Sequence, residues 1–222
     1  MHKIVVISGG SIADDFAKEW INQYQPEYII VADSGMEFMR RVELVPDMII
    51  GDFDSVKEDT LRFFEGQPGI VWKKLNPVKD DTDTEFAVRQ AIELGAKEIT
   101  ILGATGTRLD HVLGNVALLG IGLTEKVEIR LVDTYNRIRM IDKSMKLAKT
   151  EQFGAFVSLL PYAGDVKGVT LKGFKYPLEK HTFGSFSSLG ISNEIVEEVA
   201  EILFEEGILI VIEARDETGV IR

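Results

Sequence analysis

The sequence predicts an α/β fold: an open, mostly parallel sheet with flanking helices, followed by an antiparallel all-β region. Three observations carry that prediction. Short apolar runs recur at Ile4–Ser8, Tyr28–Ala32, Met48–Gly51 and Glu98–Leu102, as strands buried on both faces require. Stretches of helical periodicity separate them, which is the alternation of a βαβ series. Beyond Gly122 the helical periodicity fades, and closely spaced apolar runs with polar or glycine turns suggest an antiparallel sandwich or barrel.

Taken in order, the first strand ends in Ser8-Gly9-Gly10-Ser11, and Ile12, Phe16, Trp20 and Tyr24 then repeat every four residues. Ser11 is the expected N-cap of this helix, with Asp14 and Asp15 favouring its dipole. The Gly-Gly pair reads either as a tight turn or as backbone N–H groups facing a phosphate; it lacks the Gly-Lys-Ser/Thr ending of a P-loop. The second strand ends in Asp33-Ser34-Gly35, and a helix over 36–44 leads to Pro46-Asp47 and the third strand. A helix over 56–64 and a strand over 70–73 follow. Thr82–Glu85 has the form of a capping box opening the next helix, with Gly95 its expected C-cap. After the strand at Glu98–Leu102 and the loop Gly103–Thr107, a helix over 108–119 is expected. Its apolar face is Leu109, Val112, Leu113, Val116 and Leu119, and Gly120 is its stop.

Strands are then predicted over 127–133, 137–142, 155–161 and 169–174. A hydroxyl-rich loop spans Phe183–Asn193, and Glu194–Glu201 is open between helix and strand. Ile202–Ile212 reads as a hairpin turning at Glu206-Gly207. The division expected is 1–124 for an α/β domain and 125–222 for a β domain.

Bulk composition narrows the function. The 222 residues carry a net charge of −11, which argues against a broad grip on nucleic-acid backbone but not against a nucleotide ligand. With no cysteine, neither a disulfide framework nor a thiolate metal site is available. No run approaches the roughly 18 apolar residues of a membrane span. Met1-His2-Lys3 runs directly into the first strand, too short for a signal peptide. A cytoplasmic protein is expected.

Candidate chemistry gathers at the strand ends. Met48–Ser55 climbs through an apolar run to Gly51 and then presents Asp52 and Asp54. Residues i and i+2 of a strand project to the same side, so both carboxylates are expected to point one way at the mouth of the strand. Adjacent anions need a cation or a proton between them, and a hard divalent ion such as Mg2+ prefers oxygen ligands. The alternative is a polar turn after a buried strand. The stretch Lys79-Asp80-Asp81-Thr82-Asp83-Thr84-Glu85 is richer in acid than one cap needs; Asp83 is the first choice for a third metal carboxylate, and plain capping is the other reading. Arg108, His111 and Asn115 share a helical face beside Asp110, suited either to a nucleotide site or to a solvated polar face. In an open parallel sheet these strand ends share the ligand-binding edge.

Several of these motifs, in this order and spacing, resemble those of thiamine pyrophosphokinase over nearly the whole chain. They are Ala32-Asp33-Ser34-Gly35, Pro46-Asp47, Gly51-Asp52-Phe53-Asp54-Ser55, the run Lys79–Glu85, Gly103 with Gly106–His111, Asn115, and Ser192-Asn193-Glu194. The resemblance implies a Rossmann-like N-terminal domain binding ATP and a C-terminal β-sandwich binding thiamine. It also implies a homodimer with thiamine between subunits, and transfer of a diphosphoryl group from ATP to the thiamine hydroxyl with release of AMP. By position, Asp52, Asp54 and Asp83 correspond to the Mg2+-binding and catalytic carboxylates. Asp33, Asp80 and Asp81 correspond to further members of the acidic site. Binding of the substrates then falls to Asp33, Ser34, Lys79, Asp80, Asp81, Thr82, Arg108, Asp110, His111, Asn115, Ser192 and Asn193. Lys79 stands where eukaryotic members have Gln, as in bacterial members. Two rivals remain in view. One is a haloacid-dehalogenase-like phosphatase, whose Asp-x-Asp motif normally follows the first strand rather than the third. The other is a non-catalytic nucleotide or vitamin sensor.

Overall fold

The computed structural model describes residues 3–76 and 81–217, and the chain divides into compact units Met1–Thr134 and Tyr135–Arg222. The first unit runs β1 (Lys3–Ile7), α1 (Asp14–Tyr24), β2 (Tyr28–Ala32), α2 (Gly35–Arg41), β3 (Met48–Gly51), α3 (Glu58–Glu65) and β4 (Val71–Lys74). It continues with α4 (Asp83–Glu93), β5 (Glu98–Leu102), α5 (Leu109–Glu125) and β6 (Glu128–Val132). Its strands pair in parallel in the order β4-β3-β2-β1-β5-β6. The chain winds outward from β1 to β4, then crosses back to place β5 on the other side of β1. The strand order therefore reverses at β1, and in such sheets ligands bind at the carboxyl ends of the strands near that switch point.

Local chemistry accounts for most element ends, and the departures from expectation have physical causes. Helix α1 begins at Asp14 with Ala13 at its N-cap, not Ser11. Ser11 is held elsewhere, its N–H donating to Thr105 O at 2.8 Å. Helix α5 passes through Gly120 and stops only at Lys126, whose left-handed backbone closes it with a bond to Gly122 O. Gly122 is needed for packing rather than for stopping the helix: a Cβ there would lie 2.4 Å from Val127 O. The buried face of α5 is Asn115, Leu118, Leu119 and Gly122, an i, i+3, i+4, i+7 set. Leu109 and Leu113, expected on that face, are 71% and 69% exposed.

Strand β6 was expected to open the antiparallel region. It pairs in parallel with β5, as a strand returning from a crossover helix does, so the compact units divide after Thr134 rather than after 124.

The second unit contains β7 (Asn136–Ile141), β8 (Met145–Ala148), β9 (Phe156–Lys172), β10 (Leu178–Phe183), β11 (Val199–Leu203) and β12 (Glu206–Ala214), all paired antiparallel. Two expected strands, over 155–161 and 169–174, are one long strand, β9. Its first half pairs with β12 and its second with β10 and β11. A register shift against β12 and a left-handed Ala163 (φ 58°) mark the change of partner, as bulges do where a strand switches sheets. The expected hairpin at Glu206-Gly207 is not one. β11 pairs with β8 and β9, whereas β12 pairs with β7 and β9, so the link carries the chain from one sheet to the other. Apolar side chains of both sheets, among them Val157, Leu159, Leu171, Ile202, Leu209 and Val211, form the core between them. Among the described residues, no helix is long and apolar enough to cross a membrane.

Candidate active site

A cavity of about 690 Å³ opens at the carboxyl ends of β1, β2 and β5, against the first turns of α4 and α5. Its floor is tied together by side chains from separate elements. Ser8 at the end of β1 and Thr84 in α4 share a buried hydroxyl–hydroxyl bond of 2.7 Å. Asn115, buried in α5, donates to Ala104 O at 2.8 Å and fixes the loop after β5. The two glycine loops are stitched edge to edge: Gly10 N donates to Gly103 O and Ser11 N to Thr105 O, both at 2.8 Å. A Cβ on Gly10 would lie 2.3 Å from Gly103 O, so this approach requires glycine. The N–H groups of Gly10 and Ser11 thus serve the loop pairing.

Carboxylates stand at the ends of the neighbouring strands β2 and β3. Their parallel register places Ala32 opposite Ile50, which brings Asp33 beside the segment after Gly51. Asp33, Asp52 and Asp54 each offer an oxygen within 4.8 Å of the others. Strand alternation does not bring Asp52 and Asp54 together, because β3 ends at Gly51; a left-handed Phe53 between them does (φ 69°). Asp54 N donates to Asp52 Oδ1 at 3.3 Å, which closes the turn. Ser55 Oγ donates to Asp33 Oδ2. Asp33 Oδ1 is buried and has no hydrogen-bond partner among the described residues. Burial pushes the Asp33 carboxyl up from its ordinary value, against the Ser55 and Ser34 bonds, and the charges of Asp83 and Asp52 add to the rise.

Asp83, the expected third ligand, opens α4 and lines the cavity close enough to act on Asp33. The carboxylate drawn into the group with Asp52 and Asp54 is nevertheless Asp33. Three carboxylates, one of them carrying a buried oxygen without a donor, form a set that suits a hard divalent cation. Thr82 caps α4 by accepting from Glu85 N at 3.2 Å, the N-cap half of the expected capping box, while the Glu85 carboxylate pairs with Arg89; Thr82, Asp83 and Thr84 all line the cavity. That helix start also offers a partial positive charge to an anion.

The remaining expected residues divide. Ser34, Arg108, His111 and Asn115 line the cavity. Asp110 is exposed and does not; it pairs with Arg108 (Nη2–Oδ2 2.5 Å), and that bond, helped by the His111 N–H, holds its carboxyl at about 2. Asp81 is half-buried just before α4, and Lys79 and Asp80 lie outside the described residues. Asp47 binds Ile29 N at 2.7 Å and anchors the entry to β3.

In the second unit, Ser192 has a left-handed backbone (φ 58°), and its N–H donates to Ser158 Oγ at 2.9 Å. Asn193 is buried. Its Oδ1 accepts from Tyr176 N (3.0 Å) and Glu194 N (2.9 Å), and its Nδ2 donates to Tyr176 O (2.8 Å). Asn193 therefore holds the backbone at Tyr176. Sequence reasoning missed the roles of Ser8 and Ser55. Ser8 directly follows β1 and Ser55 follows the Asp52–Asp54 turn after β3, and position in the segments that leave the strands was the available signal.

Comparison with known proteins covers both units. The family model described as thiamin pyrophosphokinase, catalytic domain, matches residues 18–131, and that of the vitamin B1 binding domain matches 143–209. A thiamine pyrophosphokinase of Bacillus subtilis (strain 168) is 35% identical over 188 residues, covering 84% of this chain and 87% of the relative. Among solved structures, thiamine pyrophosphokinase from Bacillus subtilis superposes with a TM-score of 0.87 at 33% identity, covering 97% of this chain and 100% of that one. That from Geobacillus thermodenitrificans gives 0.84 at 31%, covering 98% and 100%. The yeast thiamin pyrophosphokinase structure, at 15% identity and a TM-score of 0.79 over 96% and 86%, shares the fold.

Proposed function

The chain belongs to the thiamin pyrophosphokinase family, and from that premise we propose that it transfers the β,γ-diphosphoryl group of ATP to the hydroxyl of thiamine. The observation that carries this reading is the carboxylate group Asp33, Asp52 and Asp54 beside a cavity of about 690 Å³ in the unit matching the catalytic model. The match to the vitamin B1 binding model supports thiamine as the acceptor.

In the proposed reaction the thiamine hydroxyl oxygen bonds to the β-phosphorus of ATP. The bond from that phosphorus to the oxygen bridging to the α-phosphate breaks, and AMP leaves with that oxygen. The hydroxyl proton passes to a carboxylate of the site, Asp54 or Asp83. Asp52, Asp54 and Asp33 are the residues that would hold Mg2+, with Asp83 adjoining. When bound, that ion supplies charge neutralisation for the diphosphoryl oxygens. The protein's own contribution is positioning: the α4 start with Thr82–Thr84 and the exposed Arg108 meet phosphate charge, and the stitched glycine loops keep the cavity in shape. A homodimer with thiamine at the subunit interface and a cytoplasmic location belong to the same proposal, supported by the family relationship.

Product identification tests it. Incubation with ATP, Mg2+ and thiamine is expected to give AMP and thiamine diphosphate in equal amounts, and Asp52→Asn is expected to abolish both while leaving the circular dichroism spectrum unchanged. Free phosphate released from simple esters would indicate a phosphatase instead. Binding without turnover would indicate a sensor, and near-normal AMP production by Asp52→Asn would remove the assigned role of that carboxylate.

A further inference from the structure

The turn that gathers the carboxylates is built around an aromatic contact outside the cavity. Phe53, between Asp52 and Asp54, is left-handed (φ 69°), a conformation that bulky L-residues rarely take. Its ring folds back over Gly51, where a Cβ would lie 3.3 Å from Phe53 Cδ1. From there it meets Trp72 edge to face, with ring centroids 5.5 Å apart and planes at 81°. Trp72 is on β4, the neighbour of β3 in the sheet, in register with Ile49; Leu75 N also donates to Gly51 O at 2.9 Å. Neither aromatic lines the cavity. The ring of Phe53 is thus fixed to an adjacent strand, while its backbone sets the direction in which Asp54 leaves Asp52.

We propose that the Phe53–Trp72 pair is a positioning device for the divalent-cation site, holding the strained turn that keeps Asp54 beside Asp52 and Asp33. The inference rests on the cation reading given above. A left-handed bulky residue persists only where its surroundings over-determine it, and such strain concentrates at functional sites. Here the over-determining contact is the edge of one ring on the face of another, an arrangement favoured by the aromatic quadrupole. Groups that orient metal ligands from behind typically change metal affinity about 10–100-fold when removed.

The test uses the full chain with Mn2+ as probe and no nucleotide, with free Mn2+ read by electron paramagnetic resonance alongside thermal unfolding. Phe53→Leu and Trp72→Ala are expected to weaken Mn2+ binding roughly 10-fold. Trp72→Phe, which keeps an aromatic partner, is expected to retain most of the affinity. Phe53→Gly is the discriminating variant. Glycine takes the left-handed backbone without strain, so its melting temperature should match or exceed that of wild type, yet its Mn2+ binding should still weaken because the ring is gone. Wild-type Mn2+ binding that Asp52→Asn abolishes but Phe53→Gly and Trp72→Ala leave unchanged would overturn this inference alone. A wild-type chain that takes up no Mn2+ would overturn the cation reading and this inference with it.

Discussion

Asp33 in the α/β unit and Glu213 in the β unit are both carboxylates withdrawn from water, and the protein treats them in opposite ways. Glu213 is fully buried and fully answered. Arg137 donates from Nε at 2.8 Å and Nη2 at 2.6 Å, Arg139 Nη2 at 2.8 Å, and Phe153 N at 3.1 Å. Burial is the largest influence on its carboxyl and pushes upward, but the Arg137 bond and the charges of both arginines carry it below its ordinary value. Asp33 has a hydroxyl on one oxygen, nothing on the other, and acids on its flank, so burial prevails and its carboxyl rises. A buried charge with its own cations belongs to the scaffold. One kept short of cations among other acids is poised to receive one from outside.

That contrast breaks first at Glu213. Removing one partner of a buried ion cluster leaves uncompensated charge, so Glu213→Gln should cost about 3–5 kcal/mol of stability, read by urea unfolding. Specific activity per folded molecule should not change. The pH dependence follows from the sign of the shift. A depressed carboxyl contributes stability that is present above its ordinary value of 4.5 and is lost as pH falls through the folded-state value. Wild type should therefore steepen its loss of stability below that range, and Glu213→Gln should flatten the same limb.

At Asp33 the opposite signature is expected. Asp33→Asn should lower AMP formation by about 10²-fold or more, in the range seen when one preorganised electrostatic group is removed. It should also raise the melting temperature at neutral pH. A raised carboxyl contributes stability that is present below its ordinary value of 3.8 and lost as pH rises through the folded-state value. The stability advantage of the variant should accordingly shrink as pH is lowered toward that value. A variant that loses stability at pH 7 but keeps its specific activity per folded molecule would place Asp33 with Glu213, among the scaffold charges.

Sequence patterns revealed the two regions unevenly. The apolar runs of β1, β2, β3 and β5 and the Thr82–Glu85 cap were legible because burial on both faces and capping leave local marks. Asp33 was legible as a further acid of the site, but not as the carboxylate that joins Asp52 and Asp54 in place of Asp83, since that depends on the Ala32–Ile50 register between two strands. The true cause of the Asp52–Asp54 pairing was hidden as well, because a left-handed Phe53 has no composition signal. In the β unit the unity of β9 and the separation of β11 from β12 are non-local pairing choices, which alternation alone leaves open. Glu213 itself reads in sequence as one more acid in a strand, and only the convergence of Arg137 and Arg139 shows its role.

The smallest expected effect separates the two readings of the acidic stretch before α4. Thr82 Oγ1 accepts from Glu85 N at 3.2 Å, and Thr82 also faces the cavity. Capping alone requires only a side-chain oxygen at this position. Thr82→Ala should then cost about 1 kcal/mol, and Thr82→Ser should restore it. Should the helix start also meet phosphate, the unbonded N–H groups and the dipole carry the interaction, and the hydroxyl acts mainly by keeping the first turn in register. Thr82→Ala should then raise the KM for ATP by a few-fold with kcat little altered, and Thr82→Ser should return KM along with stability. Stability loss with an unchanged KM would leave Thr82 to the scaffold, on the same side of the comparison as Glu213.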